Sequence, residues 1–587
     1  MPIIFSTSED PHFVHELEDR IKRTDNYAFL LEYPTVYIHY WVSSREKYLD
    51  KNGELREKKQ YDVYVGESNN VVERTFQHYS DGESESNWQY QLTHARNTPE
   101  FIVIGHKHFN KSFTLDVENR LIEYIMSARN LKMIHNGRSN PQNKYYPDKD
   151  FRPVFKNIWR RLQKCQSDLF PPESEILDSA LFKASPLKRL SDAQLKTKDY
   201  IIDRVFSALS NSLDGQLIFV QGEAGTGKTV LTTSTFYELV MLSEDDDLHL
   251  DCHLLVNHEQ QLTVYSQMAE KLDLGKDRVS KPSTFIHRHS PEAKVDVCLV
   301  DEGHLLLTQG NQGYSGNNQL KDIMARARVT VVMFDEYQIL NTEEYWEDDL
   351  LQSYKNLAIT QQNYFVLDYQ FRMRCAESTS EWISHFVLER RIDFLPYDVN
   401  GYEVKSFDNV EEMYFAIRKK AKNKDSELSR IVATYDWDYI QNKRPQGKRY
   451  WQVEVGEWSL PWNYELAKIN PGKYKYGKNK LSWAEQAHTI DEVGSTFSIQ
   501  GFDLSYVGVI LGPSVKYIDG KIEFIPSESK NKKATQNRSL STGQMQKFGE
   551  IFIRNEVKVL LTRGVKGLYI YACDKSLRDA LKNRAGI

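Results

Sequence analysis

A chain of 587 residues is longer than one hydrophobic core sustains, so three or four domains are expected. Hydrophobic residues at 40% and charged residues at 27% argue against wholesale disorder, and a net charge of −6 argues against a protein that coats nucleic acid through a general positive field. Five scattered cysteines (Cys165, Cys252, Cys298, Cys375, Cys573) outline neither a disulfide framework nor a zinc site, and fit a reducing compartment. The first thirty residues are charged throughout and no run of 18 apolar residues occurs, so neither a secretory leader nor a membrane span is expected and the chain reads as cytoplasmic. Self-association and protein partners stay open.

In chain order, the first block holds two strand-like segments, Pro34 to Ile38 and Tyr61 to Gly66, with the hairpin signal Asn52-Gly53 between them. Arg74 and His78 follow one helical turn apart, on one face. Glu118 opens another helical run, and the Asn-, Pro- and Gly-rich stretch from Asn136 closes a first domain at residue 150. Residues 151–190, with Pro171, Pro172 and Pro186, read as a connector.

The middle block alternates apolar runs with helices. Leu217 to Val220, His253 to Val256, Val297 to Val300 and Val329 to Phe334 are strands of the fully buried kind, which implies a parallel sheet covered on both faces. An acidic turn near residue 345 separates it from a later block with the same habit, in Tyr506 to Leu511 and Leu568 to Tyr571. The expected architecture is α/β: a small first domain (1–150), the connector (151–190), and two parallel-sheet domains (191–345 and 346–587), the last with insertions.

Gly222-Glu223-Ala224-Gly225-Thr226-Gly227-Lys228-Thr229 follows a strand and opens a helix, the context of a phosphate-binding loop. Glycines let backbone N–H groups turn inward around phosphate oxygens at a helix N-terminus. Lys228 is expected to reach the β- and γ-phosphates of ATP and Thr229 to ligate Mg²⁺. About seventy residues on, a strand ends in Asp301-Glu302-Gly303-His304, which supplies Asp301 for the metal and Glu302 to orient and deprotonate an attacking water. Candidate nucleic-acid patches are Arg418 to Lys420 with Lys422 and Lys424, Lys473 to Lys478, and Lys530 to Arg538, each equally readable as a solvated face.

From Leu190 onward the chain resembles superfamily 1 helicases, whose fold is a pair of RecA-like domains. Leu190 to Gln194 resembles the adenine-reading motif, which implies that role for Gln194. Ser283-Thr284-Phe285 stands at a nucleic-acid-contacting motif, and Phe334 to Leu340 resembles the motif whose glutamine senses the γ-phosphate, here Gln338. Leu367 to Met373 resembles the first motif of the second RecA-like domain, which implies that Arg372 reaches across the cleft. Ile499-Gln500-Gly501-Phe502-Asp503 resembles the family's QGxE element, with Asp503 in place of Glu and Phe497 in place of the usual histidine, and Val559 to Gly564 resembles the last motif, which implies Arg563 as an arginine finger. The wording of these segments most resembles the Schlafen-type helicase subgroup.

The first 140 or so residues resemble the GIY-YIG nucleases. Tyr37 and Tyr64 match the two tyrosines, Arg74 the phosphate-binding arginine, Glu118 the metal-binding carboxylate, Asn136 the late asparagine and His78 a histidine of some restriction enzymes, while Thr35 stands in place of a glycine. The resemblance implies Mg²⁺ on Glu118, a guanidinium absorbing charge in the transition state, and Tyr37, Tyr64 or His78 taking a proton from water. Together these imply an ATP-driven motor fused to an endonuclease, directed at DNA rather than RNA, with restriction or phage defence as the setting by analogy. A nucleotide-gated switch that unwinds nothing and an RNA-directed nuclease remain the alternatives.

Overall fold

The computed structural model describes residues 1–49, 55–80, 87–136, 148–245, 250–310, 313–367, 370, 372–423, 426–440, 443–469, 482–499 and 503–584. The Asn52-Gly53 turn, the stretch 137–147, Asp368, Tyr369, Phe371, Lys424, the 473–478 run, Gln500 and Gly501 lie outside them. The chain divides into two compact units: Met1–Arg189 with Val240–Leu248 and Val264–Val279, and Leu190–Leu239 with His249–Thr263 and Ser280–Ile587. No helix among the described residues is long and apolar enough to cross a membrane.

The first unit is built on a five-stranded sheet of β1 (Ile3–Ser8), β2 (Thr35–Leu49), β3 (Leu55–Ser68), β4 (Glu100–Gly105) and β5 (Leu131–Ile134), in the order β1-β4-β2-β3-β5. The two predicted strands form the antiparallel β2–β3 pair, in a register that sets Tyr37 opposite Gly66 and His39 opposite Tyr64. Residues 35–40 are buried without alternation, as expected of a central strand covered on both faces. Helix Phe13–Lys22 turns Phe13, Leu17 and Ile21 inward, four residues apart and therefore on one stripe. The helix bearing Glu118 runs Lys111–Met126 and begins well before the expected start, because the Asn110 side chain accepts from Phe113 N at 2.9 Å and caps it.

The expected connector is helical. Helix Phe151–Cys165 buries Val154, Phe155, Ile158, Trp159 and Leu162, and the Trp159 indole donates to Pro171 O at 2.9 Å while meeting Tyr124 edge-on. Five apolar residues on one face make 151–189 part of the first unit's core, despite its prolines.

The second unit carries two parallel sheets. The first lobe's has the order β11-β6-β10-β9-β7-β8, from β6 (Gln216–Gly222), β7 (Cys252–Val256), β8 (Val279–Ser280), β9 (Val295–Asp301), β10 (Ala327–Phe334) and β11 (Tyr364–Leu367). The last of these lies past the expected boundary at residue 345. Helix Asp348–Thr360 returns the chain so that β11 pairs in parallel with β6, and the Tyr364 hydroxyl donates to Gln221 Oε1 at 2.6 Å, so the first lobe extends through Leu367. The second lobe's sheet joins β12 (Glu403–Ser406), β13 (Arg430–Ala433), β16 (Val493–Gly494), β17 (Leu504–Leu511) and β22 (Gly564–Ala572) in the order β12-β22-β17-β13-β16. Its insertions supply three hairpins: β14 (Gln452–Val455) with β15 (Trp458–Pro461), β18 (Val515–Ile518) with β19 (Lys521–Phe524), and β20 (Arg538–Ser539) with β21 (Met545–Gln546). Both lobes are α/β, built on parallel strand pairs.

Segment 530–548 of the second lobe is bolted to the first. Arg538, 2% exposed, donates to Thr308 Oγ1 at 3.0 Å and to Thr342 O, Thr342 Oγ1 donates to Lys533 O at 2.8 Å, and Tyr345 stacks on Phe548 at 3.9 Å. Part of the expected basic patch is therefore an internal clamp. The Arg418–Lys420 patch is also partly neutralised, by pairs of Lys420 with Glu403 and Arg418 with Asp491.

Helix Gly549–Leu561 buries Glu556, whose carboxyl is pushed up to about 8 by burial with Asp436 adding to it. An acid raised on folding contributes stability that is present below its unfolded value, near 4.5, and lost as pH rises toward 8. Glu556→Gln, which does not titrate, should therefore gain on the wild type by up to about 1.4 kcal/mol per pH unit across that window. Urea denaturation between pH 5 and 9 reads this directly; parallel curves for the two proteins would contradict it.

Candidate functional site

In the first unit, Tyr37, Tyr64, Gly66, Glu67, Arg74, Trp88, Glu118, His135 and Asn136 line one cavity of about 400 Å³. The β2–β3 register sets the two tyrosines on its wall, and Gly66 is needed there because a Cβ would stand 2.5 Å from the Tyr37 hydroxyl oxygen. Tyr37 hydrogen-bonds to His78 Nε2 at 2.8 Å, and the Arg74 guanidinium faces both Tyr37 and Tyr64. Trp88 stacks on Tyr64 at 3.9 Å. Burial, with His39 and Arg74 adding, pushes His78 down to about 3, so its ring is neutral.

Across the cavity, Asn136 Nδ2 donates to Glu118 Oε1 at 3.0 Å and to Val65 O at 2.7 Å, tying the carboxylate to β3. Burial pushes Glu118 up to about 8, the Glu67 carboxylate adds to the rise, and Lys111 and Asn136 oppose it. A buried carboxyl that resists ionisation beside a second one is a place where a divalent cation compensates charge. Mg²⁺ commonly takes only one or two carboxylates and keeps its waters, so Glu118 with Glu67 fits it. Among the described residues no group of three or more His, Cys, Asp and Glu side chains suited to a metal occurs.

In the second unit, β6 delivers the chain into the glycine turn and helix Lys228–Asp245 leaves it. Gly225 and Gly227 have φ of +91° and +82°, a region that side-chain-bearing residues avoid, and a Cβ on Gly225 would collide with Gln370. Lys228 Nζ donates to Gly222 O at 2.6 Å and Glu223 O at 2.8 Å, and lies 3.3 Å from Asp335 Oδ2. Burial works to raise Asp335, but the charges of Lys228 and His304 and a hydrogen bond from Gln338 Nε2 (2.7 Å) prevail and hold it below the usual carboxylate range. Gln194 closes a capping box with Ser191 and donates to Thr226 O at 3.1 Å, so both ends of its amide are engaged beside the loop.

Asp301 ends β9, where Thr232 Oγ1 (3.4 Å) and Gln261 Nε2 (2.9 Å) donate to its carboxylate. Thr229 stands one residue after Lys228, at the helix start. Glu302 has φ of +51°, a strained value for a side-chain-bearing residue; burial raises its carboxyl, against Lys228 and Arg563. His304 is fully buried and pushed down to about 4, with Nε2 at 3.2 Å from Glu302 Oε2 but out of hydrogen-bonding alignment.

The second lobe closes this crevice. Arg563, 1% exposed, donates to Gln338 Oε1 at 3.2 Å, and burial, with the Arg372 charge adding, pushes it down to about 9 against Asp503, Glu302 and Asp335. Arg372 donates through Nε to Asp503 Oδ1 at 2.6 Å, leaving Nη1 without a partner. Gln370 Nε2 donates to Ala224 O at 2.5 Å, and Lys558 Nζ lies 3.0 Å from Glu223 Oε2 over the Tyr337 ring. Phe285 is buried and stacked on His289, whereas Phe497 is 39% exposed and edge-on to Tyr435. Sequence reasoning assigned no role to Asp335, Gln370, Lys558, Thr232, Gln261 or Glu67. Asp335 and Gln370 lie inside recognised motifs; the other four carry no local signal.

A family model described as the Schlafen group 3 DNA/RNA helicase domain matches residues 215–574. An uncharacterised protein of Saccharomyces cerevisiae is 30% identical over 465 residues, 73% of this chain and 98% of its own. Among solved structures, a Pif1 helicase from Candida albicans is 13% identical, with 68% of this chain and 99% of that one covered at a TM-score of 0.26. The PRRSV helicase is 10% identical, with 63% and 54% covered at a TM-score of 0.26. With more than half its length matched by that model, this chain belongs to the Schlafen group 3 DNA/RNA helicase domain family.

Proposed function

We propose that the chain is an ATP-dependent, helicase-type enzyme that carries a metal-dependent endonuclease of the GIY-YIG kind in its first unit and acts on nucleic acid, DNA in preference to RNA. The observation that carries the reading is the convergence at one crevice of Lys228, Glu302 and Gln338 from the first lobe with Arg563 from the second, hydrogen-bonded to Gln338. Cations from one lobe facing a triphosphate on the other make hydrolysis depend on closure, and closure can then drive stepping along a strand. Asp301 with Thr229 would hold Mg²⁺ at the nucleotide and Glu118 would hold it in the first unit, where it supplies Lewis-acid stabilisation of phosphoryl charge. The nuclease assignment is supported by the cavity that gathers Tyr37, Tyr64, Arg74, Glu118 and Asn136. A restriction or phage-defence role rests on analogy alone and forms no part of the proposal.

The clamp at Arg538 and Phe548 favours a second reading, a nucleotide-gated switch whose lobes move too little to unwind a duplex. One purified sample of the full chain decides between them. ATP turnover, strand displacement and Mg²⁺-dependent cleavage are measured on single strands, duplex, plasmid and tRNA. Turnover stimulated by single strands together with displacement supports the motor, and stimulation without displacement supports the switch. Turnover indifferent to every nucleic acid would remove both.

A further inference from the structure

Behind the Tyr37–His78 pair lies a set of polar groups that the reading above does not use. The side chains of Glu9, just after β1, and His39, two residues along β2 from Tyr37, are fully buried, with Glu9 Oε1 at 2.9 Å from His39 Nδ1. The Tyr79 hydroxyl donates to the other carboxylate oxygen. A carboxylate only accepts, so Nδ1 of His39 carries the hydrogen and Nε2 is left as an acceptor, buried and without a partner. Burying such an atom without a partner is costly. The His39 ring meets Tyr37 edge-on at 5.6 Å and His78 at 6.1 Å, inside walls formed by Phe101 and Trp88.

On the other side, a guanidinium only donates, so the Tyr37 oxygen accepts from Arg74, and the Tyr37 hydroxyl meets both Tyr64 and His78 Nε2. With its hydrogen on His78 Nε2, the arrangement a relay needs, the His78 hydrogen sits on Nδ1. His78 holds a proton poorly, with burial, His39 and Arg74 all working against its charge. A proton that arrives on it must move on. The groups around His78 are Arg74 and Tyr79 on its own helix, Tyr37 and His39 on β2, Tyr64 on β3, and Glu9 beyond His39.

We propose that the buried Glu9–His39 pair is the receiving end of a proton relay that starts at Tyr37 and passes through His78, with Glu9 as the positioning residue that fixes the tautomer of His39. The proposal rests on the nuclease reading of this cavity. As water adds to phosphorus, its proton goes to the Tyr37 oxygen, the Tyr37 proton to His78 Nε2, and the His78 Nδ1 proton to His39 Nε2. The P–O bond to the departing sugar breaks and that oxygen takes a proton from solvent. An imidazolium then rests against the Glu9 carboxylate. The two imidazole centroids are 6.1 Å apart, so the last transfer requires one bridging water.

The test uses the full chain with ¹⁵N-labelled histidine, free of substrate, and the kcat and KM of plasmid cleavage in Mg²⁺. His39 is expected in the Nδ1–H form in the wild type. Glu9→Gln should lower kcat on the order of 10²-fold with KM unchanged. His39→Gln, which removes the receiving nitrogen, should lower kcat to a similar degree with KM again unchanged, and it keeps the proposal testable if Glu9→Gln does not fold. His39 in the Nε2–H form, or an unchanged kcat in either folded variant, overturns the relay alone. A wild type that cuts nothing overturns the nuclease reading and the relay with it.

Discussion

Lys228→Ala is expected to lower ATP turnover by at least about 10²–10³-fold, the usual loss when one preorganised charge donor is removed from a transferring phosphoryl group. The Lys228 ammonium is held beside the glycine turn by Gly222 O, Glu223 O and Asp335, which fixes its position within the crevice. The same contacts predict a second effect. Asp335 is a buried carboxylate depressed on folding, so its contribution is present above its unfolded value and fades as pH falls through the folded one. Removing Lys228 takes away the leading opposing charge, and the variant should melt below the wild type at pH 7, with the gap narrowing in acid. Glu302→Gln offers the cleaner comparison, because it removes an ionisable group from a strained, buried position and should abolish turnover without that loss of stability. Wild-type turnover in either variant would remove the site assignment.

Glu118→Gln is expected to abolish Mg²⁺-dependent cleavage, on the order of 10³-fold or more, while ATP hydrolysis stays at the wild-type rate. The carboxyl is raised to about 8, so the metal-free first unit loses stability as pH rises from about 4.5 to 8, and glutamine escapes that loss. The variant should therefore be inactive yet at least as heat-resistant as the wild type at pH 8, which separates a lost ligand from a lost fold. Calorimetry of Mg²⁺ binding supplies a readout independent of cutting, and no heat is expected from this site in the variant. Loss of both activities together would show that the two units do not work as separate modules.

The parts of this protein legible in its sequence are those whose physics is local. The glycine turn proposed to hold phosphate needs glycines at two alternate positions, Gly225 and Gly227, with φ above zero between a strand and a helix, and all of that lies within a dozen residues. The buried strands of both parallel-sheet lobes announce themselves as apolar runs, and the spacing of Arg74 and His78 fixes their shared helix face. Motif wording carried Gln338 and Arg563 to one crevice, where they are hydrogen-bonded.

Prolines made residues 151–189 read as a connector, but proline is silent on whether the intervening helix has an apolar face to bury, and Trp159 decided that. The lobe boundary at 345 missed β11 because an edge strand of four residues becomes a strand only when β6 offers its hydrogen bonds. Charge runs were the least informative, since Arg538 is buried between backbone carbonyls and Lys420 is spent on Glu403. Lys558 against Glu223, Glu67 beside Glu118, and Glu9 against His39 join residues from about thirty to over three hundred positions apart. Local chemistry wrote the loops, strands and helix faces into the order of residues. Which distant charges meet was settled only by tertiary packing, because an ion pair or a buried imidazole depends on the partner that folding brings within about 3 Å, and no neighbour along the chain foretells it.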